Sequence, residues 1–415
     1  MALIDAKPET AAILVIFVVT YCGIAAGHVP GLRLNRTGIA LLGAIAIMVF
    51  TRLPTTTLIG FIDSPTILLL FGFFVLSAQL QLSGFFDQVA TELSSRFDNP
   101  RRFLLTLMLV TAGLSAFLNH DIVCFVFTPV VASALLRKRL NPVPFLVAVA
   151  IASNIGAAAT PVGNPQNMVI AQTAGLHFGR YMAWCAVPVV ASLAAAYALI
   201  WMMSRHHLTS MARVSDDAEI PLRPFNRGHT IKGLIILTLV IALFFSRIPK
   251  EIIALTAAGV HLASRKFHTD ELLALVDWPV LVLFMSLFVV TGAFQSTGYG
   301  DQALHWLGRV GVDLHSPPTL SVVTAALSNL IGNSAAVLLL VKVVNVDHPG
   351  VAYALALANS IGGSLVVIGS VSNIIVLQRA DDLKIEISFR DYARLGVPVT
   401  LVSLGVVLVW TSLMT

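Results

Sequence analysis

The stretch FLNHDIV (117–123) sets Asn119, His120 and Asp121 side by side between two apolar runs, and Asp121 is the one carboxylate deep in any apolar segment. A carboxylic acid in such surroundings can alternate between charged and neutral forms, which suits it to exchange a proton. His120 is open to three roles: a ligand, a proton carrier, or the hydrogen-bond partner of Asp121. A second constellation, AATPVGNPQN (158–167), follows Asn154 and brings Thr160, Gly163, Asn164, Gln166 and Asn167 into a long run of Ala, Val, Ile and Leu. A third, SNLIGNSAA (328–336), carries Asn329, Asn333 and Ser334, and a fourth, NSIGGSLVVIGSVSN (359–373), carries Ser364, Gly369, Ser370 and Asn373. Carboxamides and hydroxyls donate and accept hydrogen bonds without net charge, so together these residues would form a polar cage for a small solute. No Lys or Arg is expected in it. Cys124, one turn beyond His120, reads as a small core residue.

Hydrolytic chemistry in a membrane would need a paired catalytic acid or a metal motif. The chain has no Gly-x-Gly-Asp, no His-Glu-x-x-His and no second acid expected to be buried, so the expectation is a transporter, with no enzyme activity and no cofactor or metal.

The elements that would hold these residues are broken helices. A helix interrupted in hydrocarbon exposes backbone groups at several kcal/mol each, so a break survives only inside protein or against a wet cavity. VGNPQN is suited to starting a half-helix: Gly163 permits the turn, Asn164 can cap, and Pro165 fits the first helical position. Gly369 and Ser370 do the same in a second, glycine- and serine-rich version. With the two hairpin tips, four half-helix amino termini would converge, each worth about half a positive charge.

Composition agrees. The 415 residues are 57% hydrophobic and 11% charged, with a mean hydropathy of +0.87. Soluble domains carry about a quarter charged residues, so the chain reads as a multi-span protein of the plasma (inner) membrane with the lipid bilayer as its surroundings. The net charge of +5 would suit a nucleic-acid partner, but Lys and Arg cluster between apolar segments, and none is expected. Cys22, Cys124 and Cys185 lie in or beside apolar runs, without the spacing of a disulfide framework. Asp5, Lys7 and Glu9 before the run 11–27 mark it as an uncleaved span rather than a signal peptide.

The chain is internally duplicated. Asp63-Ser-Pro recurs as Asp277-Trp-Pro, 214 residues later, and the same offset carries Gln81 to Gln295, Gly84 to Gly298 and Asp87 to Asp301. Gly163 and Asn167 recur as Gly369 and Asn373, and the VPV of 187–189 recurs at 397–399. Apolar runs give about ten spans, with re-entrant hairpins at 101–138 and 317–345 and broken helices in 143–176 and 350–379. Placing the amino terminus outside leaves only Lys7, Arg52, Arg180, Arg247, Lys250, Arg309 and Lys342 of the 26 Lys and Arg on that side. Five crossings then separate the copies, so the repeats would be inverted, as in many secondary transporters. Two amphipathic segments, 85–97 (Phe85, Phe86, Val89, Leu93 and Phe97 opposite Asp87, Glu92 and Arg96) and 299–311, would lie at the interface. The expected organisation is a first scaffold with its arm (1–100), a first hairpin and broken-helix unit (101–203), a cytoplasmic linker (204–230), a second scaffold with its arm (231–316) and a second transport unit (317–415).

LSAFLNHDIVCFVFTP, NIGAAATPVGNPQNMVI and SNLIGNSAAVLLL resemble the paired signatures of the ion transporter superfamily, most closely its arsenite permease (ArsB)/NhaD-type branch. The resemblance covers about 60–415, and Thr-Pro-x-Gly-Asn-Pro-x-Asn is its most specific part. It implies an all-α elevator-type carrier, often a homodimer, with hairpins and broken helices in a moving block. Asn164 and Asn167 match the carboxamides of the broken-helix motif, and Asp121 matches the hairpin acid. The family hairpin usually reads Asn-Asp, whereas here His120 precedes Asp121.

Three substrates fit such a carrier. A neutral metalloid hydroxide, arsenite or antimonite, extruded in exchange for protons, suits a cage without Arg and with one acid. A small inorganic anion or carboxylate would use the four helix termini, with Asp121 protonated or paired with sodium. Sodium/proton exchange would use Asp121 and the freed carbonyls. The first is the favoured expectation.

Overall fold

The structure, a computed structural model, describes residues 8–27, 33–95, 99–205, 223–263, 267–344 and 346–414. The acidic part of the linker (Asp216, Asp217, Glu219), its Arg213, and the residues Asp5, Lys7, Arg96 and Phe97 lie outside the described residues.

The described chain is helical and holds two runs of ten α-helices. The first run begins with α1 (Pro8–Ala26), α2 (Arg36–Phe50), α3 (Thr55–Gly60), α4 (Ser64–Leu82) and α5 (Phe85–Ser95). It continues with α6 (Pro100–Phe117), α7 (His120–Arg137), α8 (Val143–Ala157), α9 (Pro165–Thr173) and α10 (Phe178–Ser204). The second run begins with α11 (Arg227–Leu243), α12 (Lys250–Leu262), α13 (Thr269–Ala274), α14 (Trp278–Ser296) and α15 (Tyr299–Arg309). It ends with α16 (Pro317–Ile331), α17 (Asn333–Val343), α18 (Pro349–Gly362), α19 (Val371–Asp381) and α20 (Phe389–Met414).

Each helix of the first run has its counterpart ten places on, and the local causes repeat with it. Asp63 caps α4 by accepting from the Thr66 N–H, and Asp277 caps α14 by accepting from the Val280 N–H, each with a proline in the first turn. Gly84 and Gly298, at φ +73° and +75°, turn the chain into the arm helices α5 and α15. α10 and α20 both carry an internal proline, Pro188 and Pro398. The short helices α3 and α13, placed just before the two capping aspartates, were not apparent from the apolar pattern.

The halves interlock reciprocally. α4 packs on α12 as α14 packs on α2; α9 packs on α17 and α18 as α19 packs on α7 and α8; α10 meets α20 and α8 meets α18. This is the contact pattern of a pseudo-two-fold axis. Each hairpin packs against its own broken helix through glycine: a Cβ on Gly156 would stand 2.3 Å from the Ala112 carbonyl oxygen, and one on Gly362 2.8 Å from the Ala325 Cβ.

Among the described residues six helices, α1, α4, α7, α10, α14 and α20, are long and apolar enough to cross a membrane. Their outer faces expose Val15, Val19, Val190, Leu401 and Val409, aliphatic side chains suited to lipid contact. The arm α5 departs from the amphipathic reading at Asp87. That carboxylate is buried with Phe86, Ala90 and Ser94 on the inner face, beside Arg223, instead of on the polar side.

Candidate functional site

The two breaks are built alike. α8 ends at Ala157, the chain turns through Gly163, and Asn164 restarts it by accepting from the Asn167 N–H at 2.7 Å with Pro165 first in α9. Asn167 then turns its own amide back, donating to the carbonyls of Ala157 (3.0 Å) and Thr160 (3.3 Å), which the break frees. In the second copy a 3-10 turn (Val367–Gly369) leads to Ser370 and α19, and Asn373 donates to the carbonyls of Gly363 (2.8 Å) and Val366 (3.2 Å). Tyr181 donates its hydroxyl to the Ala158 carbonyl and Tyr392 to that of Ser364. A Cβ on Gly163 would lie 2.3 Å from the Ala157 oxygen, so only glycine fits there.

Side chains stitch one break to the other across the pseudo-two-fold. The Asn154 amide donates to Asn373 Oδ1 (2.9 Å), and Ser360 donates to Asn167 Oδ1 (3.2 Å). The Asn164 amide donates to Ser360 (2.8 Å), and Ser370 donates to Asn154 Oδ1 (3.0 Å). Ser372 adds a third hydroxyl on Asn154 Oδ1. The second hairpin tip joins the same network, Gln166 donating to Ser334 (2.7 Å) and Asn333 reaching Ser370 at 3.5 Å. The amino termini of α7, α9, α17 and α19 thus come together around buried polar side chains.

At the first tip Asn119 caps α7 through the Asp121 N–H (2.9 Å), and the His120 N–H reaches the Gly163 carbonyl at 3.4 Å. His120 is 1% and Asp121 6% exposed. Their nearest approach, Nε2 to Oδ1, is 3.6 Å, too long for a hydrogen bond. Both His120 ring nitrogens, Asp121 Oδ1, Gln166 Oε1 and Ser364 Oγ are buried and have no protein hydrogen-bond partner. Buried polar atoms are normally satisfied, so these atoms, with Asn359 Nδ2, are spare hydrogen-bonding capacity among the expected site residues.

Other expected site residues fasten the frame. Thr160 donates to the Ala116 carbonyl. Asn329 donates to the carbonyls of Ala325 and Gly362 and accepts from the Val366 N–H, tying the second hairpin to the second break, with Gly369 packed on its amide oxygen. Cys124 donates to Ser153 (3.1 Å) inside the core, as its composition suggested.

Two charged residues were missed. The expectation of a cage free of Lys and Arg fails at its rim: both Arg36 Nη atoms donate to the Ile368 carbonyl at 3.3 Å, and Nη1 lies 2.9 Å from where a Cβ on Gly332 would stand. Asp277, read from the sequence only as the recurrence of Asp63, is a second acid in the field of Asp121: burial pushes its carboxyl up to about 6, and the Asp121 charge pushes the same way against the Val280 N–H. Neither is near the site in sequence, and only the recurrence of Asp63-Ser-Pro at Asp277 offered a hint. Among the described residues no cluster of His, Cys, Asp or Glu is arranged to hold a metal ion.

Residues 12–350 match the family described as citrate transporter. An uncharacterised transporter of Mycobacterium tuberculosis is 30% identical over 421 residues, covering 95% of this chain and 96% of that relative. The silicon efflux transporter LSI3 of rice (Oryza sativa subsp. japonica) is 36% identical over 154 residues, 37% of this chain and 32% of its own length. Among solved structures the YdaH transporter of Alcanivorax borkumensis superposes with a TM-score of 0.60 over 98% of both chains, at 14% identity.

Proposed function

Since the chain belongs to the citrate transporter family of the ion transporter superfamily and is a multi-helix membrane transport protein, we propose that it is a proton-coupled secondary transporter that extrudes a small uncharged metalloid hydroxide, arsenite or antimonite. The observation that supports this reading is the composition of the site. Its inner surface is carboxamide and hydroxyl, its unpartnered atoms are both donors and acceptors, and the ionisable pair at its first tip is the adjoining His120 and Asp121. A hydroxide of this kind presents O–H groups and lone pairs in all directions, which neutral amides can meet without a counter-charge. Silicon and trivalent arsenic both travel in neutral water as such hydroxides, so the silicon efflux for which the rice relative is named points to the same solute class. Asp121 would take up the counter-transported proton, with His120 beside it.

The same reading takes the interlocked halves as inverted repeats with ten crossings, α6–α7 and α16–α17 as re-entrant hairpins, and the broken-helix units as the moving block of an elevator in a homodimer. A second substrate reading, a small carboxylate or inorganic anion coupled to protons or sodium, is favoured by Arg36 at the second break and by the family description. Counterflow in proteoliposomes separates them. Labelled arsenite or antimonite should exchange, and an outwardly directed proton gradient, from an acidic lumen, should drive its accumulation in the vesicles. Exchange of citrate or another anion without arsenite would replace the first reading with the second, and uptake without counterflow would indicate a channel.

A further inference from the structure

Arg36 and Lys250 are repeat equivalents, 214 positions apart, and each is the first residue of its helix, α2 or α12. Their surroundings differ. Arg36 spans the gap to the second transport unit: its two Nη atoms share the Ile368 carbonyl, and its guanidinium lies against Gly332 at the hairpin tip, where a side chain would obstruct it. The equivalent contact, from Lys250 to the Val162 carbonyl of the first break, is not made. Lys250 Nζ instead donates to Ser246 (2.9 Å) and Ile248 (3.3 Å) in the turn just before its own helix. The breaks differ in the same sense: Ile368 is 44% exposed and its equivalent, Val162, 2%.

Two copies with the same internal hydrogen bonding but unlike exposure have the same structure in different positions relative to their neighbours. In a carrier built on a pseudo-two-fold, exchanging the two environments generates the opposite conformation. Building on the carrier reading above, we propose that Arg36 and Lys250 are alternating latches. Arg36 holds the second break in the conformation seen here, and Lys250 takes the equivalent hold on the Val162 carbonyl in the opposite one. Both are positioning residues, acting on the equilibrium between end states. Arginine offers two donors to one carbonyl where lysine offers a single ammonium, so the pair favours the present conformation.

The test uses the full-length protein with Cys22, Cys124 and Cys185 replaced, carrying either Ile368→Cys or Val162→Cys, and compares maleimide labelling rates at the two positions. Arg36→Ala should lower the 368-to-162 ratio about fivefold, the worth of one net hydrogen bond, and Lys250→Ala should raise it by a similar factor. The double variant should return to within about twofold of the parent, which damage to the fold would not do. Shifts in the same direction, or no shift in either variant, would overturn the proposal. If Arg36→Ala fails to insert, Lys250→Ala alone decides by the direction of its shift. Counterflow measured on the same preparations keeps the two readings apart. Normal exchange without reciprocal shifts removes the latches and leaves the carrier, whereas reciprocal shifts without exchange retain two conformations and remove the carrier.

Discussion

Asn167 and Asn373, 206 positions apart, perform one task in two places: each donates its amide to the two carbonyls freed by its own break, and each accepts a hydrogen bond from the other half, from Ser360 and from Asn154. A single side chain therefore repairs a broken helix and joins the halves. Replacing either by alanine takes the side-chain donor from the Ala157 or the Gly363 carbonyl and removes the bridge, at a cost of about 1–3 kcal/mol. Asn167→Ala and Asn373→Ala should lower the unfolding temperature in detergent by similar amounts and abolish exchange. A large effect at one position and none at the other would deny their equivalence.

The first break demands glycine at its tightest point. With the Ala157 oxygen 2.3 Å from the site of a Cβ, Gly163→Ala must push backbone apart, whereas Gly113→Ala meets nothing within 4 Å. We expect Gly163→Ala to lose transport and about 2 kcal/mol or more of stability, and Gly113→Ala to lose neither. Combining Gly163→Leu with Pro165→Ala should favour a continuous helix that inserts in the membrane yet carries nothing. Solute counterflow, with expression level as control, and unfolding temperature in detergent check all three variants.

Asp121→Asn preserves shape and removes the exchangeable proton. It should stop proton-driven accumulation and flatten its pH profile while equilibrium exchange partly survives. A mutant that still concentrates solute with the parent's pH profile would show Asp121 to be structural, making His120 the next candidate.

Asp277 gives the stability a pH dependence of definite sign. Its carboxyl is held above the ordinary carboxylate value, at about 6, mainly by burial. The folded protein thus favours the protonated form; the resulting stabilisation is complete below about pH 4 and is lost as pH rises through 6. Asp277→Asn should abolish this decline, worth about 1–2 kcal/mol, seen as the fall in unfolding temperature between pH 5 and pH 7. An unchanged slope in the variant would place the titration elsewhere.

Inverted orientation of the halves makes a prediction about sidedness. Lys138, just after α7, and His348, just before α18, are both exposed. In a background lacking the native cysteines, Lys138→Cys should react with an impermeant maleimide only from the cytoplasm and His348→Cys only from outside. Reaction of both from one side would rule out inversion.

Much of this was legible in sequence because its causes are local. The caps Asn164, Asp63 and Asp277 act on an amide three residues ahead, and the turn at Gly163 and Gly369 depends on neighbours within a few positions. The duplication was readable for the same reason, since each local device recurs with its own residues. Partnership across the fold was not. Ile368 and Arg36 are 332 positions apart, and nothing in either neighbourhood encodes the other. The inward turn of Asp87, the field of Asp121 on Asp277 and the fastening role of Asn329 likewise arise only when separate helices meet. The residue order was enough to locate the backbone breaks and the polar groups around them, because capping and turn preferences act over a few residues. The tertiary structure alone decided which half supplies each partner and which of the two matching breaks is exposed, because two nearly equivalent units can occupy either of two positions relative to their neighbours.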